Sequence, residues 1–384
     1  MFRHLKDIVP VTTSHGVGQK RVLLSSNESG CSLTQIAVTE LKAGEIAAAH
    51  VIEDSRNKLY PMLFKQNRKT LVWGTEDWTV SGVPNSESEV ENGTWARYNL
   101  TEVIARRPEE ILGRQTALKY NNQLPLLAKI IDAHQDLSIQ VHPDDEMAKR
   151  EHNKFGKSEM WYILDAEPGA YLYAGFKERI TPEQYKERVA NGTIIEVLAK
   201  HEVHKGDVFY LPSGRVHAIC GGIKLAEIQQ SSDVTYRIFD YNRPGLDGKP
   251  RELHTELAAK AIDYTVYPEY KTPHEENIGV ANVILNTPFF SIKIVESGES
   301  FHRNMIKYDS FIIIMNIGEP FTVRVRATGD EVLVPAESSC LIPAAIADYD
   351  LVPVHHTVKV MEAFINNKKS IGKTVKDFFH LFSN

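Results

Sequence analysis

Short hydrophobic runs separated by turn residues dominate this chain and predict a mainly β structure. Within the runs, apolar side chains alternate with polar ones or cluster over a few residues, and turn residues separate many of them. The predicted strands are Lys20–Leu24, Leu71–Trp73, Glu159–Leu164, Asp207–Leu211, Phe289–Val295, Phe311–Ile317 and Thr357–Phe364. Strands of this length and spacing are typical of antiparallel sandwiches and barrels. Helix–strand alternation with glycine-rich phosphate loops does not occur, which argues against a doubly wound sheet.

Helical patterns are fewer and fall between residues 100 and 265. Leu100–Leu112 has an apolar face with polar spacers, and Asp144–His152 begins with two acidic residues, which suits a helix N-terminus. Thr181–Ala190 opens with TPEQ, which offers an N-cap threonine, a proline in the first turn and a capping-box glutamine. Arg251–Tyr264 is a fourth helical window. These helices are expected to interrupt a β framework.

Changes in pattern along the chain predict four segments. Residues 1–55 form a β-rich lead, and residues 56–265 form the main body. A linker at Tyr267–Gly279, which contains two prolines and several charges, leads to a second β-rich unit at residues 279–366. Residues 367–384 are predicted to be a C-terminal tail.

Composition excludes several classes of protein. The chain has 384 residues, of which 42% are hydrophobic and 24% charged, as in ordinary globular domains. A formal net charge of −6 argues against binding nucleic acid through broad phosphate contacts. Three cysteines cannot build a disulfide framework, which favours a reducing compartment. The N-terminus lacks the apolar core of a signal peptide and no apolar run could span a bilayer, so we expect a cytoplasmic protein without a membrane partner.

Polar residues occupy alternate positions in two of the strand-like stretches. In SIQVHPDD, alternation places Ser138, Gln140 and His142 on one face of a strand. In GKSEMWYIL, Lys157 and Glu159 share a face in the same way. A strand with polar side chains on one face needs a polar cavity beside it, so these stretches predict such a cavity.

The stretch GDVFYLPSGRVH, residues 206–217, carries a more specific pattern. It fits G-x5-P-x-G-x-x-H and so resembles the second metal-binding motif of the cupin superfamily. A strand is expected to end at Leu211, Pro212 and Gly214 make the turn, and His217 points back into a barrel. The candidate metal ligands are then His142, His217, Glu159 and Gln140. Two imidazoles, a carboxylate and an amide oxygen suit zinc with an open coordination position.

Longer motifs extend this resemblance to one family. QVHPDD, GKSEMWY, GDVFYLPSGRVHA and SSDVTYRIFDYNRPGLDGKPRELH resemble the type I phosphomannose isomerases, especially their short bacterial form, and TLVWGTEDWTVSG at residues 70–82 resembles that family's opening segment. The resemblance covers residues 59–366. It implies a double cupin fold, two jelly-roll β-barrels with a helical insertion in the catalytic half. The second barrel is expected to bind no metal, because Asp348 stands where a ligand histidine would be and no set of histidines replaces it.

The resemblance also implies a set of site residues. One zinc ion per chain would be held by Gln140, His142, Glu159 and His217, although some short bacterial members carry another residue at the position of Gln140. The resemblance implies a catalytic role for Arg237 and places Lys157 and Ser138 beside the substrate and Glu227 at the cavity.

Simpler roles remain open for the four residues that are not metal ligands. Arg237 could form a surface ion pair with Asp240 or Asp233. Lys157 could lie at a solvated strand end. The carboxylate of Glu227 and the hydroxyl of Ser138 could make structural hydrogen bonds only.

By the same resemblance, the expected reaction is the interconversion of mannose 6-phosphate and fructose 6-phosphate through an enediol. Such a reaction needs a base that moves one proton between neighbouring carbons. Glu227, Lys157 with a depressed pKa and a metal-linked water all remain candidates for that base. Two other functions also stay open: a related zinc cupin that isomerises another phosphosugar or aldose, and a sugar-phosphate sensor without catalysis.

Residues 1–55 do not belong to the isomerase pattern. They resemble the front half of a small independent cupin, in which Gly44–His50 fits the start of the first cupin motif and Ile52 replaces its second histidine. This half-motif is expected to bind no metal. A half-barrel has unpaired edges, so we expect it to pack on the main body or to join two chains in a homodimer.

Overall fold

The computed structural model describes residues 58–368 in full, together with the backbone of three earlier strands. The chain divides into two compact units, Met1–Lys58 and Leu59–Asn384. The half-motif at Gly44–His50 and nearly all of the predicted tail, residues 367–384, lie outside the described residues.

The first unit contains a three-stranded antiparallel sheet. Its strands are β1 (Asp7–Pro10), β2 (Arg21–Ser26) and β3 (Leu33–Ala37). They lie in the order β1-β2-β3, so each strand pairs with its neighbour in sequence. Strand β2 contains most of the predicted strand Lys20–Leu24.

Four further sheets form two barrels in the second unit, and the first barrel is built from residues 68–239. Its strands are β5 (Arg68–Leu71), β6 (Gly74–Val80), β7 (Leu126–Ala133), β8 (Ile139–Val141), β9 (Glu159–Ala166), β10 (Tyr171–Phe176), β11 (Leu198–Glu202), β12 (Val208–Leu211), β13 (His217–Ile219), β14 (Ile223–Gln230) and β15 (Tyr236–Phe239). Sheet 1 has the order β12-β9-β14-β7-β6-β5, and sheet 2 has the order β11-β10-β13-β8-β15. All the neighbouring strands pair antiparallel.

The second barrel takes most of its strands from residues 281–364. They are β16 (Ala281–Asn286), β17 (Ser291–Ser297), β18 (Phe301–Asn304), β19 (Ile312–Asn316), β20 (Phe321–Val325), β21 (Glu331–Val334), β22 (Ser339–Ile342), β23 (Asp348–Pro353) and β24 (Val358–Phe364). One strand, β4 (Met62–Leu63), comes from the start of the unit and pairs with β22. Sheet 3 has the order β16-β17-β24-β19-β22-β4, and sheet 4 has the order β18-β23-β20-β21.

Six α-helices occur within residues 58–368. They are α1 (Leu100–Arg106), α2 (Pro108–Leu112), α3 (Arg114–Lys119), α4 (Asp145–His152), α5 (Pro182–Ala190) and α6 (Thr255–Ala261). Short 3-10 turns lie at Ile194–Val197, Ile306–Tyr308 and Ala344–Ile346. None of the helices in this range has the length and apolarity needed to cross a membrane.

Capping signals explain which helix predictions are confirmed. Helix α4 begins after Asp144, whose side chain accepts a hydrogen bond from the Met147 N–H. Helix α5 begins after Thr181, which forms the expected capping box with Gln184.

Three predicted boundaries are wrong. The window Leu100–Leu112 splits after α1 because Pro108 starts a new helix and disfavours helical geometry in the residue before it. The window Arg251–Tyr264 shortens to Thr255–Ala261. The predicted strand Leu71–Trp73 contains the tight turn between β5 and β6.

The strands of sheet 1 that lie between the barrels bury one face inside the first barrel and the other against the second. On β9, Trp161 and Ile163 contribute to the interior of the first barrel, whereas Met160 and Tyr162 pack outward. That outward face joins one continuous core with sheet 3 of the second barrel, so the two barrels are held together by apolar packing. Helices α4, α5 and α6 cover the outer face of sheet 2.

A buried ion pair crosses the interior of the second barrel. Arg303 donates two hydrogen bonds to Glu362, from Nε at 2.8 Å and from Nη2 at 2.6 Å, and Tyr349 donates a third at 2.7 Å. The Glu362 side chain has no solvent exposure. Removing one partner of such a pair leaves an uncompensated buried charge.

We therefore expect Arg303→Met to lower the free energy of unfolding by about 3–5 kcal/mol. Chemical denaturation measures this change. The matched control is Arg324→Met, which removes an ion pair with Glu331 that is about half exposed and should cost at most about 1 kcal/mol. Equal losses in the two variants would contradict the expectation.

Candidate functional site

Polar side chains interrupt the apolar interior of the first barrel on sheet 1. Glu159 has the same parity on β9 as Trp161 and Ile163, so it faces inward with them. Glu227 lies opposite Trp161 in the pairing of β14 with β9, and Lys129 lies opposite Glu227 on β7. Directly opposite residues point to the same face, so sheet 1 places a row of charged groups inside the barrel.

Sheet 2 carries a second row of polar side chains on its inner face. His217 on β13 lies opposite Gln140 on β8, and Gln140 lies opposite Arg237 on β15. The neighbouring residues Val141 and Tyr236 pack outward beneath the helices. The inner face of sheet 2 therefore carries the imidazole, the amide and the guanidinium side by side.

Where the two sheets meet, His142, Glu159 and His217 form a compact buried group. Their potential ligand atoms all lie within 4.8 Å of one another. Glu159 Oε1 is 3.1 Å from His217 Nε2, and Glu159 Oε2 is 3.5 Å from His142 Nε2. The two rings are tilted to each other, with centroids 4.9 Å apart.

Backbone carbonyls orient both imidazoles. His142 Nδ1 donates to the Val234 carbonyl at 2.9 Å, and His217 Nδ1 donates to the Arg215 carbonyl at 2.8 Å. A carbonyl only accepts hydrogen bonds, so the proton of each neutral ring is assigned to Nδ1 and each Nε2 carries a lone pair. Both lone pairs face the Glu159 carboxylate.

These residues fit a divalent metal ion. Glu159 Oε1 is buried without a hydrogen-bond donor in the described part of the chain, and it faces another acceptor, His217 Nε2. A cation between them would relieve this repulsion. Ligand atoms around a tetrahedral zinc ion, with bonds of about 2.0–2.1 Å, stand roughly 3.3 Å apart. The carboxylate–imidazole separations of 3.1 Å and 3.5 Å, one from each Glu159 oxygen, are close to that value, and the ligand atoms of all three residues lie within 4.8 Å of one another.

Lys157 is buried beside this group. Its Nζ lies 2.8 Å from Glu159 Oε2 and 2.9 Å from His142 Nε2. The residue is only 5% exposed, so it is not a solvated strand end. The ammonium group brings a positive charge into contact with two of the three potential ligands.

Burial and the neighbouring Lys157 charge set the charge states of His142 and Glu159. Burial lowers the pKa of His142 well below its usual range, and the Lys157 ammonium acts in the same direction. The ring is therefore neutral at pH 7, which is the form that binds a metal. Burial alone would raise the pKa of Glu159, but the charge of Lys157 outweighs it and holds that pKa well below its usual range.

Gln140 and Ser138 precede the histidine on the same stretch. Gln140 Nε2 lies 3.3 Å from His217 Nε2, and a half-turn of the amide would present Oε1 to the same place. Ser138 is buried just before β8, on the side of the strand that alternation shares with Gln140.

Glu227 stands behind the metal-ligand group. Trp161 Nε1 donates to Glu227 Oε2 at 2.8 Å, and Lys129 Nζ lies 3.0 Å from Oε1 as an ion pair without hydrogen-bond alignment. The Trp161 ring packs edge-on against His217, with centroids 5.3 Å apart. Glu227 is therefore linked to the candidate site indirectly: its carboxylate binds the Trp161 indole, and the indole contacts His217.

Arg237 is half-buried on the inner face of sheet 2. Its Nη1 donates to the Glu252 carbonyl at 3.0 Å. The two acids that could have paired with it have other partners. Asp240 binds Arg243 and Arg251, and Asp233 binds Lys154.

Sequence reasoning missed Lys129 and Trp161. Lys129 is the single charged residue in the apolar run LPLLAKII, and a buried charge requires a partner. That signal indicates an ion pair without naming the acid. The structure supplies two acids: Glu227 at 3.0 Å and Glu76 at 3.6 Å.

Sequence comparison relates this chain to known enzymes. Residues 66–167 match the sequence profile of the catalytic domain of type I phosphomannose isomerase. The chain is 39% identical over 220 residues to GmuF of Bacillus subtilis, named a probable mannose-6-phosphate isomerase, a match that covers 56% of this chain and 68% of that protein. It is 36% identical over 251 residues to the mannose-6-phosphate isomerase ManA of the same organism, covering 60% of this chain and 78% of that protein.

Structural comparison shows that the similarity covers almost the whole of a related crystal structure. The crystal structure of the Bacillus subtilis mannose 6-phosphate isomerase superposes with a TM-score of 0.70 and 25% identity, covering 79% of this chain and 99% of that one. The two barrels therefore share the cupin fold of that structure, and about a fifth of this chain lies outside the shared part. This chain belongs to the type I phosphomannose isomerase family of enzymes.

Proposed function

We propose that this isomerase interconverts mannose 6-phosphate and fructose 6-phosphate through an enediol, with one zinc ion bound by His142, Glu159 and His217. The observation that carries the proposal is the buried carboxylate facing two oriented imidazole lone pairs inside the first barrel. Buried acceptors arranged in this way suit a bound cation and have no evident purpose in a structural core.

The donor types favour zinc. Two imidazoles and one carboxylate are the protein ligands typical of catalytic zinc sites that keep an open position. Gln140 would supply a fourth oxygen after rotation of its amide. When bound, zinc would polarise the substrate's C1 and C2 oxygens as a Lewis acid.

Positive side chains would hold the anionic substrate and its intermediate. A chain with a net charge of −6 repels a sugar phosphate at long range, so binding must depend on a local positive region. Arg237 and Lys157 supply it from opposite sheets. Since one lone pair of His142 cannot serve both an ammonium and a metal, metal binding would free Lys157 to donate to substrate oxygens.

Isomerisation also requires a group that takes the proton from one carbon and returns it to the next. Lys157 touches the metal-ligand group directly, whereas Glu227 meets it through Trp161. Solvent exchange of the substrate C–H protons in Lys157→Met and Glu227→Gln tests both groups. The variant that loses this exchange while keeping substrate binding identifies the proton carrier.

Metal removal is expected to abolish the activity. The measurement is a coupled assay that detects fructose 6-phosphate formed from mannose 6-phosphate, before and after dialysis against a chelator. Activity should disappear and return with added zinc, because charge on the enediol would lose its main stabilisation. Full activity after the metal is gone would overturn the zinc dependence. Turnover of another aldose phosphate, with none of this substrate, would select the related isomerase.

The first unit has no counterpart in this proposed chemistry. We assign it to self-association into a homodimer, since a three-stranded antiparallel sheet leaves β1 and β3 as its outer strands. Light scattering measures the mass of the full chain and of a chain that begins at Leu59. The full chain should be a dimer and the shortened chain a monomer. A monomeric full chain would contradict the proposed homodimer.

We also propose that the enzyme is cytoplasmic, in keeping with the free, buried thiols of Cys220 and Cys340.

A further inference from the structure

The segment at residues 251–254, which follows β15 and a loop, forms hydrogen bonds with Arg237 of that strand. The Arg237 N–H donates to His254 Nδ1 at 3.1 Å, and the His254 N–H donates back to the Arg237 carbonyl at 2.7 Å. Two residues earlier, the Glu252 carbonyl accepts from Arg237 Nη1 at 3.0 Å. The segment thus holds both the backbone and the guanidinium of Arg237.

A buried carboxylate closes the loop that leads to this segment. Asp240, only 5% exposed, accepts two hydrogen bonds from Arg251, from Nε and Nη2 at 2.6 Å each. It also accepts one from Arg243 Nε at 3.1 Å. A two-pronged arginine–carboxylate contact restrains orientation as well as distance. Because Arg251 directly precedes Glu252, the contact fixes where the Glu252 carbonyl stands.

The same carboxylate decides which arginine stays without an acidic partner. Three arginines, at positions 237, 243 and 251, lie near the buried Asp240, which pairs with Arg243 and Arg251 only. No carboxylate in the described part of the chain pairs with the Arg237 guanidinium, and its Nε is buried without a partner. Arg237 is thus left with a fixed orientation and with unused N–H donors.

We infer that Asp240, Arg251 and His254 are positioning residues that hold the Arg237 guanidinium over the substrate site. The inference rests on the proposed function, because orientation of Arg237 matters only if that residue contacts the substrate or the enediol. None of the three reaches the metal-ligand group. Misplacement of a reacting or stabilising group by about 1 Å can reduce a rate roughly 100-fold. Their removal should therefore affect turnover through Arg237.

The test is a double-mutant cycle with Arg251→Ala and Arg237→Ala in the full-length, metal-loaded enzyme. We expect Arg251→Ala alone to lower kcat by about 10- to 100-fold with bound metal unchanged. In the Arg237→Ala background, the same change should alter kcat less than about twofold, because nothing remains to be positioned. An equal loss in both backgrounds would show a general structural effect and overturn the inference.

Conservative variants keep the test decisive if Arg251→Ala does not fold. His254→Asn retains a hydrogen-bond acceptor near the position of Nδ1 and should recover most of the kcat that His254→Ala loses. Arg251→Lys keeps the charge without the two-pronged geometry and should lie between alanine and wild type. Failure of both variants to follow this order would also overturn the inference.

A matched control separates these outcomes from failure of the proposed function. Arg324→Ala removes an arginine from a surface pair in the second barrel and should leave kcat unchanged. If Arg237→Ala itself keeps normal turnover, the proposed role of Arg237 falls. If Arg237→Ala is inactive but Arg251→Ala lowers kcat equally in both backgrounds, only the positioning role falls.

Discussion

His217→Ala is expected to release the bound metal and to reduce kcat/KM by at least about 1,000-fold. The substitution removes one of two imidazole donors, and Lewis-acid stabilisation of the intermediate is worth several kcal/mol. Elemental analysis after dialysis measures the metal, and the coupled assay measures the rate. Near-ultraviolet circular dichroism should show an intact fold, because the apolar core on either side of the site is unchanged.

His302→Ala is the matched control. His302 forms an exposed pair with Asp348 in the second barrel, at 2.7 Å, so its loss should leave metal content and turnover unchanged. A His217→Ala enzyme with full metal occupancy would contradict the assignment of that residue as a ligand. The same measurement on Gln140→Ala shows whether the amide contributes a fourth bond.

Arg237→Ala should lose about 100- to 1,000-fold in kcat while it keeps its metal. A cation aimed at charge that develops in the transition state acts more strongly there than in the ground state, so turnover should fall more than affinity. Steady-state kinetics with mannose 6-phosphate, together with elemental analysis, measures both. Arg237→Lys should be intermediate, because a lysine keeps the charge without the planar donor geometry.

Arg188→Ala is the matched control for Arg237→Ala, because it also removes an arginine. Arg188 pairs with Glu196 at the surface, and its loss should leave kcat within about twofold of wild type. Near-normal turnover of Arg237→Ala would exclude that arginine from the mechanism. A simultaneous loss of metal would instead indicate damage to the neighbouring Gln140–His217 pairing.

Local signals in the chain were sufficient for some elements and insufficient for others. Asp144 and Thr181 carry side chains that satisfy the first N–H groups of a helix, so α4 and α5 could be located from sequence. The window at Arg251–Tyr264 began too early because Arg251 and His254 have tertiary partners, Asp240 and Arg237, which hold them outside the helix. Helical periodicity contains no information on those partners.

The chain's own pattern determined which chemistry is available. Alternation every second residue set Gln140 and His142 on one strand face and the carboxylate of Glu159 on another, and a proline–glycine turn preceded His217. Those residue types are enough to predict a metal site in a β-barrel.

Tertiary structure alone decided how these groups act together. Strand register brought Lys129 opposite Glu227 and set Arg237 beside Gln140, although up to about a hundred residues separate such partners in the chain. Burial and nearby charge then set the charge states of two further groups, because a neutral His142 and an ionised Glu159 depend on desolvation and on the Lys157 ammonium, which act only after folding. Long-range pairing of this kind is not encoded in any local window, since each contact depends on the register of several strands at once.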